Sequence, residues 1–263
     1  MSTLKQYDPE RFDKDIWSEH WQAYANSAGE NPAAKMRHAI ILERLQSLPE
    51  KPGLLLDVGS GQGDCLYRAV ASQCAKKYVG FELSEVGVSI SRSKVPQAEF
   101  FQVDLFSPPN DISWLIGQCD VVICSDVIEH VDEPEDFCCL LKDYLKPGAY
   151  LYVTVPGGPM SDFDRHIGHR THYDEASIIR LLTVAGFIVE KVFLAGFPFF
   201  NLYRMMVILR GKRLIFDVKS DAENSASGFI ARLMMQIFGI LFKLNMSHSQ
   251  FGWQIFAVAR CPD

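Results

Sequence analysis

The sequence predicts an α/β fold in which a mostly parallel sheet is covered by helices on both faces. Two observations lead to this prediction. Short apolar runs, each the length of a buried strand, alternate with segments whose apolar residues recur at helical spacing. A turn with three glycines follows the first run, and acidic residues stand at the ends of later runs, as expected where parallel strands end at one edge of a sheet.

The composition is that of a globular chain. It has 263 residues, of which 48% are hydrophobic and 22% charged, which excludes a disordered chain. With 26 basic and 32 acidic residues the net charge is −6, so no overall field favours nucleic acid as a partner. The seven cysteines lack metal-binding spacing, the polar N-terminus lacks a secretory signal, and no apolar run approaches a membrane span. We therefore expect reduced thiols and a cytoplasmic location.

Residues 1–50 are predicted to form an N-terminal helical cap. Helical spacing extends over residues 10–48, and Trp17, Trp21 and Tyr24 form a rough stripe along it. The stripe has two interpretations: a face that packs against the rest of the domain, or a lid over a ligand.

Residues 51–196 are predicted to form the core. Its predicted strands are residues 54–58, 78–83, 99–103, 120–124, 150–155 and 187–194. Its predicted helices are residues 65–74, 86–93, 137–144 and 176–185, with another around Trp114. A last strand, residues 253–259, lies in the terminal segment 251–263.

One segment, residues 197–250, interrupts this alternation and predicts a helical insertion between strands six and seven. It is rich in Phe, Met, Leu and Ile, and its net charge of +4 contrasts with −10 for the rest of the chain. Three hypotheses fit this composition: a cap over the site, peripheral contact with an anionic membrane, or a dimer interface. The chain is accordingly expected to be a monomer or a homodimer.

The strongest motif is Asp57-Val-Gly59-Ser60-Gly61-Gln-Gly63, directly after the first strand. Glycines there let the backbone approach a ligand where any Cβ would collide, and the next helix points its free N–H groups at that ligand. A nicotinamide dehydrogenase would carry its third glycine one residue later, where this chain has aspartate. The spacing therefore disfavours a dehydrogenase.

Acidic residues follow three further strands. Glu82 ends the second strand and can accept two hydrogen bonds from a ribose diol, Asp104 ends the third and can meet a purine edge, and Asp126 follows the fourth. The alternative is that each carboxylate caps the helix after it. For the whole series we favour a shared ligand crevice.

These motifs resemble those of the class I S-adenosylmethionine-dependent methyltransferases, over roughly residues 50–195 and the last strand. Within that class, Val127-Ile-Glu-His130 is similar to the ubiquinone-biosynthesis O-methyltransferases and other small-molecule O-methyltransferases. The resemblance implies a Rossmann-like sheet of seven strands in the order 3-2-1-4-5-7-6, with the last strand antiparallel. It also implies S-adenosyl-L-methionine as methyl donor and S-adenosyl-L-homocysteine as product.

The resemblance further implies which residues bind the donor, with Asp57 near the methionine amino group. The implied set is Asp57, Gly59, Ser60, Gly61, Gly63, Glu82, Leu83, Asp104, Leu105, Ser125 and Asp126, together with Trp17 and Tyr24 of the N-terminal cap.

Three histidines are candidate general bases, since a hydroxyl that accepts a methyl group must lose its proton. His130 follows the fourth strand, and His169 and His172 lie in the loop after the fifth. For His130 the alternative is a helix-surface or capping residue. Any one of the three is a candidate for the base.

The same loop supplies candidate acceptor-binding residues: Arg165, His166, Arg170 and Tyr173. The spacing of its histidines also permits a metal site with Asp162 or Asp164. The loop fixes no coordination geometry, so we expect no metal.

The sequence thus predicts a methyltransferase that acts on a small molecule, with transfer to a hydroxyl oxygen of an apolar or amphiphilic metabolite. Two alternatives stay open: N- or C-methylation, and a non-catalytic scaffold that binds S-adenosylmethionine. The expected partner is the acceptor and no nucleic acid, with peripheral membrane contact through residues 197–250 as a further hypothesis.

Overall fold

The structure is a computed structural model that describes residue 21, residues 31–211 and residues 226–263. Its strands are β1 (Leu54–Val58), β2 (Lys77–Glu82), β3 (Glu99–Gln102), β4 (Cys119–Ser125), β5 (Leu145–Pro156), β6 (Ile188–Ala195) and β7 (Gln254–Arg260). They form one sheet of order β3-β2-β1-β4-β5-β7-β6, in which β7 is antiparallel to both neighbours and the other pairs are parallel. The predicted sheet order and antiparallel last strand are confirmed.

The helices of the described residues are α1 (Pro32–Gln46), α2 (Asp64–Ala71), α3 (Glu85–Lys94), α4 (Pro134–Asp143), α5 (Asp162–His166), α6 (Glu175–Val184), α7 (Phe199–Arg210) and α8 (Ala226–Leu241). Side-chain caps satisfy the first N–H groups of several helices: Asn31 accepts from Ala33, and Asp174 accepts from Ser177. Short 3₁₀ turns cover Asn110–Leu115, Ile128–His130 and Phe242–Leu244.

A hydrophobic core lies on each face of the sheet. Leu54, Leu56 and Val58 of β1 pack in one cluster with α4 and α6, and Leu55 packs in the other with α1, α2 and α3. Successive side chains of a strand point to opposite faces, so a strand buried on both faces is apolar throughout. This is why β1 is apolar except at Asp57.

The carboxyl ends of four strands meet at one edge of the sheet. Val58 of β1 pairs with Phe81 of β2 and Cys124 of β4, and Ser125 of β4 pairs with Thr154 of β5. The loops after these strands therefore leave the sheet side by side, which places the predicted site residues at that edge.

The N-terminal helix is not continuous over residues 10–48, and this prediction is wrong at Asn31. Asn31 has an extended backbone, as is usual before a proline, and it caps a helix that begins at Pro32. Residues 10–30 lie outside the described residues except for Trp21, and so do the predicted lid residues Trp17 and Tyr24.

The start of β5 and the predicted helix around Trp114 also differ from the predictions. β5 begins at Leu145, earlier than the predicted residue 150, because Leu145 already pairs with Cys119 before an irregularity in the ladder. Trp114 lies in a 3₁₀ turn.

The insertion between β6 and β7 contributes α7 and α8. Their inner faces and the 3₁₀ turn after α8 form a small third cluster, in which Phe200, Phe238 and Phe242 pack with Ala33 of α1. Their outer faces carry exposed apolar side chains: Leu202, Met205, Leu209, Leu233, Ile237 and Ile240. Within the described residues, no helix has both the length and the apolar character needed to cross a membrane.

Candidate functional site

The glycine turn after β1 lies against the loop after β4. Gly59, Gly61 and Gly63 have φ angles of 75°, 55° and 79°, the left-handed region that favours glycine. A Cβ on Gly59 would collide with the side chain of Val127. The Gly59 N–H donates to the carbonyl oxygen of Phe81 at 2.8 Å, which ties the turn to β2. The turn therefore lies in a position and a conformation that accept glycine but no residue with a Cβ.

Glu82, at the end of β2, joins the glycine turn to the start of α3. Its Oε2 accepts from the Gly61 N–H at 2.8 Å, and its Oε1 accepts from the Ser84 N–H at 3.0 Å. Burial raises the pKa of Glu82, and the hydrogen bonds from Ser84, Gly61 and the Trp21 side chain oppose that rise. A carboxylate has about four acceptor positions, so these bonds leave room for a ribose hydroxyl.

Trp21 covers the glycine turn. A Cβ on Gly61 would lie 2.7 Å from the indole ring, and one on Gly87 of α3 would lie 3.2 Å from it. The ring therefore occupies the space between the turn and α3, beside Glu82. A ligand that reaches Glu82 has to share this space with Trp21 or displace it.

Asp57 is buried in β1, and its Oδ2 has no hydrogen-bond partner among the described residues. Burial, and then the negative charge of Glu82, raise the pKa of Asp57 to about 8. The hydroxyl of Ser60, in the adjacent turn, is also buried without a partner among the described residues. A buried carboxyl without a partner is costly, so this position suits a positively charged group of a ligand.

Asp126, after β4, makes hydrogen bonds and an ion pair with other residues of the chain. Its Oδ1 accepts from the Thr154 hydroxyl at 2.8 Å and from the Gln254 side-chain amide at 3.0 Å, and its Oδ2 pairs with Arg37 of α1 at 3.0 Å. Ser125 adds a hydrogen bond of 2.8 Å to Thr154. Asp126 therefore ties α1 to β5 and β7, and its assignment to the donor stays a prediction.

The remaining predicted donor residues lie at the end of β2 and after β3. Asp104 accepts a hydrogen bond from the Phe106 N–H at 3.0 Å, as a turn-capping carboxylate does, and is half-buried. Leu83 is half-buried, and its carbonyl oxygen accepts from Gln102. Leu105 is buried in the core. All of them lie at the strand edge where the sequence predicts them.

The three candidate bases come together in one cluster. The rings of His130 and His169 meet edge to face with centroids 4.7 Å apart, and His169 Nδ1 lies 3.1 Å from His172 Nε2. Burial is the main cause that lowers the pKa of His169 to about 3 and also lowers the pKa of His172. The His130 N–H donates to the carbonyl oxygen of Val127 at 2.9 Å, and the Val127 side chain lies against Gly59 of the glycine turn. Two uncharged imidazoles thus stand near the predicted donor site.

An ion pair supports this cluster from the side of the insertion. Arg204 of α7 donates to both carboxylate oxygens of Asp164, at 2.8 and 2.7 Å, and Ser161 donates to Oδ2 of the same carboxylate. Burial raises the pKa of Asp164, but Arg204 and Ser161 outweigh it and hold that pKa well below its usual range. Asp164 is therefore an anion next to His172, whose Nε2 lies 3.8 Å away.

Glu129 is fully buried, and neither carboxyl oxygen has a hydrogen-bond partner from another described residue. Burial, and then the charge of Asp126, raise the pKa of Glu129 well above its usual range. Within the described residues, Glu129 with His130 and His169, and Asp164 with His169 and His172, bring possible metal ligand atoms within 4.8 Å of one another. Arg204 already neutralises Asp164. The expectation of no metal stays a prediction.

The candidate acceptor residues are spread over the outer part of the loop. Arg165 and His166 are exposed at the end of α5, with Arg165 3.9 Å from Asp162. Arg170 is exposed and pairs with Asp132 at 3.0 Å. Tyr173 is buried in the core, where burial raises the pKa of its hydroxyl. Their part in acceptor binding stays a prediction, and Tyr173 faces the core.

The structure adds three residues that the sequence did not single out for the site, Arg37, Glu129 and Arg204, and it places Trp21 of the aromatic stripe against the glycine turn. Trp21 belonged to the aromatic stripe, and Glu129 is an acid inside an apolar segment, so both gave a signal. Arg37 and Arg204 reach their partners from distant parts of the chain, and the sequence around them gave none.

Comparison with known proteins places the chain among methyltransferases. A sequence model of the methyltransferase domain matches residues 33–192, more than half of the chain. A Mycolicibacterium smegmatis protein named as a probable S-adenosylmethionine-dependent methyltransferase is 28% identical over 160 residues, which are 59% of each chain. The ubiquinone biosynthesis O-methyltransferase of Acinetobacter baumannii is 29% identical over 132 residues, 47% of this chain and 55% of that protein. The matches thus span less than two thirds of these relatives.

Solved structures share the fold. Phosphoethanolamine N-methyltransferase 2 of Haemonchus contortus, in complex with S-adenosyl-L-methionine, superposes with a TM-score of 0.56 at 18% identity. The superposition covers 86% of this chain and 52% of the other. At this identity the likeness concerns the fold alone.

Proposed function

This chain belongs to the family of S-adenosylmethionine-dependent methyltransferases, and on that premise we propose that it methylates a hydroxyl oxygen of a small apolar or amphiphilic molecule. The observation that carries the proposal is the cluster of His130, His169 and His172, in which the His130 N–H donates to the carbonyl oxygen of Val127, the residue packed against Gly59. A hydroxyl has to lose its proton when it is methylated, whereas an amine needs only to be neutral. Uncharged imidazoles at this place therefore favour a hydroxyl.

The residues at the strand edge fit the family's methyl donor. Asp57 offers a buried carboxyl to a cationic amino group, and Glu82, which accepts from the Gly61 N–H, offers further acceptor positions to a ribose. When bound, S-adenosylmethionine supplies a methyl group that its positive sulfur has already activated. The protein's part is then to align the acceptor oxygen and to remove its proton.

The insertion supports an apolar acceptor. Phe200, Phe238 and Phe242 form an apolar cluster in it, and Arg204 of the same insertion reaches the ion pair beside the histidines. The cap over the histidine loop is therefore built from apolar helices. We take it to line the path of the acceptor.

Methylation at nitrogen or carbon, and donor binding without turnover, compete with this proposal. The ubiquinone biosynthesis relatives are named as O-methyltransferases and the Haemonchus structure, which shares the fold, as an N-methyltransferase, so the fold serves both chemistries. Neither an amine acceptor nor a scaffold that only binds the donor needs a general base. The half-buried base candidates therefore favour O-methylation.

We further propose that the outer face of α7 and α8 contacts an anionic membrane surface from which an amphiphilic acceptor is collected. The exposed Leu209 and Ile240 of this face and the net positive charge of the insertion support that contact. A dimer interface is the alternative use of the same face.

The test is a methylation assay with a donor whose methyl group is labelled. The purified chain is incubated with a panel of matched apolar phenols, alcohols and amines, and mass spectrometry locates the label. We expect methyl ethers, and titration calorimetry should show binding of S-adenosylmethionine and S-adenosylhomocysteine. Label only on nitrogen or carbon would contradict the proposal, and donor binding without any turnover would favour the scaffold.

A further inference from the structure

The histidine cluster contains one hydrogen bond whose direction is fixed by chemistry. His172 Nδ1 lies 3.0 Å from the carbonyl oxygen of Gly158. A carbonyl oxygen can only accept a hydrogen bond, so His172 Nδ1 carries the hydrogen and donates it.

The second hydrogen bond follows from the first. Burial lowers the pKa of both His169 and His172, so each ring is neutral at neutral pH and carries one hydrogen. With its hydrogen on Nδ1, His172 presents a lone pair at Nε2. His169 Nδ1, 3.1 Å away, must therefore be the donor of that hydrogen bond. The one hydrogen of His169 is then on Nδ1, and its Nε2 is unprotonated.

No other group near His172 competes with His169 as the donor to His172 Nε2. The nearest oxygen of Asp164 is 3.8 Å from His172 Nε2. The Asp164 carboxylate already accepts from Arg204 and Ser161, and as an anion it has no hydrogen to donate. The donor for His172 Nε2 is therefore His169.

We propose that His169 Nε2 takes the proton of the acceptor hydroxyl, and that His172 is a positioning residue whose hydrogen bonds to Gly158 and His169 keep that nitrogen unprotonated. This inference rests on the proposed function and deepens it, because it selects one of three candidate bases. His172 then touches neither acceptor nor donor.

The transfer balances with these groups and the family's methyl donor. As the acceptor oxygen forms its bond to the methyl carbon, the carbon–sulfur bond breaks with its electron pair going to sulfur, and the hydroxyl proton goes to His169 Nε2. The imidazolium formed still donates through Nδ1 to His172. Burial, His130, His172 and Arg204 oppose a charge on the His169 ring, and Asp164 is the nearby anion that favours it. The proton then leaves to solvent.

The first experiment measures the tautomers directly in the wild-type chain. Two-bond ¹H–¹⁵N correlation NMR distinguishes a ring protonated at Nδ1 from one protonated at Nε2, and His169→Gln and His172→Gln variants assign the signals. We expect both rings protonated at Nδ1 at neutral pH. A His169 ring protonated at Nε2 would overturn the inference, whatever the activity.

The second experiment separates a positioning role from a structural one. In His172→Gln the side-chain oxygen can still accept from His169 Nδ1, whereas His172→Leu removes the acceptor. We expect His169→Ala to lower kcat by about 10²–10⁴-fold, the usual contribution of a general base. His172→Leu should lower kcat by a smaller factor of at least about tenfold, with the donor Kd and the acceptor KM unchanged, and His172→Gln should restore most of it.

The outcomes are distinguishable from those of the proposed function. Equal kcat in wild type and His172→Leu, or a loss in His169→Ala no larger than in His130→Ala, would contradict the assignment of the base. Wild-type methylation of amines only would overturn the proposed function and the base together. The NMR result would still decide the tautomers in that case.

Discussion

At the residue scale, Gly59 shows how narrowly the turn after β1 is constrained. Its φ of 75° is strained for any other residue, and a Cβ would also strike Val127. Gly117 has a similar φ of 65°, but nothing lies within 4 Å of its Cβ position. Substitution at Gly117 therefore measures the cost of backbone strain alone, whereas substitution at Gly59 adds the cost of a steric collision.

We expect Gly117→Ala to lower the free energy of unfolding by about 1 kcal/mol and Gly59→Ala by about 2–4 kcal/mol, because only the second adds overpacking to the strain. Urea denaturation of both variants measures the difference. The double variant Gly59→Ala with Val127→Ala should regain part of the loss. An equal decrease in the free energy of unfolding for both variants would show that Val127 can move aside without cost.

Asp57 makes donor binding depend on pH. Its pKa of about 8 keeps the carboxyl protonated at neutral pH in the ligand-free chain, and a carboxylate is required to pair with an ammonium group. Donor binding should therefore release a proton below about pH 8, and the affinity should rise as the pH approaches that value.

Calorimetry in two buffers of different ionisation enthalpy counts the released protons. Asp57→Asn should bind the donor more weakly and release fewer protons, with an affinity that varies less with pH. Proton release that is unchanged in Asp57→Asn would assign it to another group.

At the scale of elements, α7 and α5 are joined by the Arg204–Asp164 pair, in which Asp164 is almost fully buried. We expect Arg204→Met to lower the free energy of unfolding by about 3–5 kcal/mol at neutral pH, because it leaves a buried carboxylate unpaired. Arg165→Met is the matched control: Arg165 is exposed and lies 3.9 Å from Asp162, so its loss should cost about 1 kcal/mol or less.

The sign of the pH effect follows from the lowered pKa of Asp164. A carboxyl whose pKa is lower in the folded chain stabilises the fold above its unfolded pKa of about 4, and this contribution is lost as the pH falls through the folded pKa. The deficit of Arg204→Met should therefore shrink on acidification. Denaturation at several pH values checks this, and a constant deficit would point to lost packing of the arginine.

Local elements were predictable because their causes are local. The strand β1 and its turn are encoded in ten consecutive residues, and the boundary at Asn31 could have been predicted from the proline that follows it. The role of Asp126 could not have been predicted in this way, because its partners Arg37, Thr154 and Gln254 come from three separate elements. Contacts between elements depend on packing that no local pattern encodes.

At the scale of the whole molecule, vesicle sedimentation tests the proposal that the outer face of α7 and α8 contacts an anionic membrane. We expect the chain to sediment with phosphatidylglycerol vesicles at low salt, less so at high salt, and not with phosphatidylcholine vesicles. Replacing Leu209 and Ile240, which are 78% and 66% exposed, by glutamine should weaken sedimentation. Glutamine at Ile116 and Val184, 56% and 57% exposed elsewhere, is the control.

Absence of binding to anionic vesicles at low salt would remove the membrane proposal. A dimer in light scattering that dissociates in the Leu209/Ile240 variant would instead assign this face to self-association.

The whole site was predictable in outline and not in its hydrogen bonding. The strand-end rule brings His130 and the loop of His169 to one edge, and the family resemblance supplies the sheet order. The direction of the His169–His172 bond depends on the Gly158 carbonyl, and the neutrality of these rings depends on burial. Both are properties of the folded chain.

The ion pair between α7 and α5 also bears on how acceptor preference could be changed by recombination. A chimera that exchanges residues 197–250 for the corresponding segment of another family member would remove Arg204 and leave the buried Asp164 carboxylate without its ion-pair partner. A successful graft would have to bring its own cation to that point or replace Asp164 at the same time. The insertion therefore has to be exchanged together with the loop that it supports.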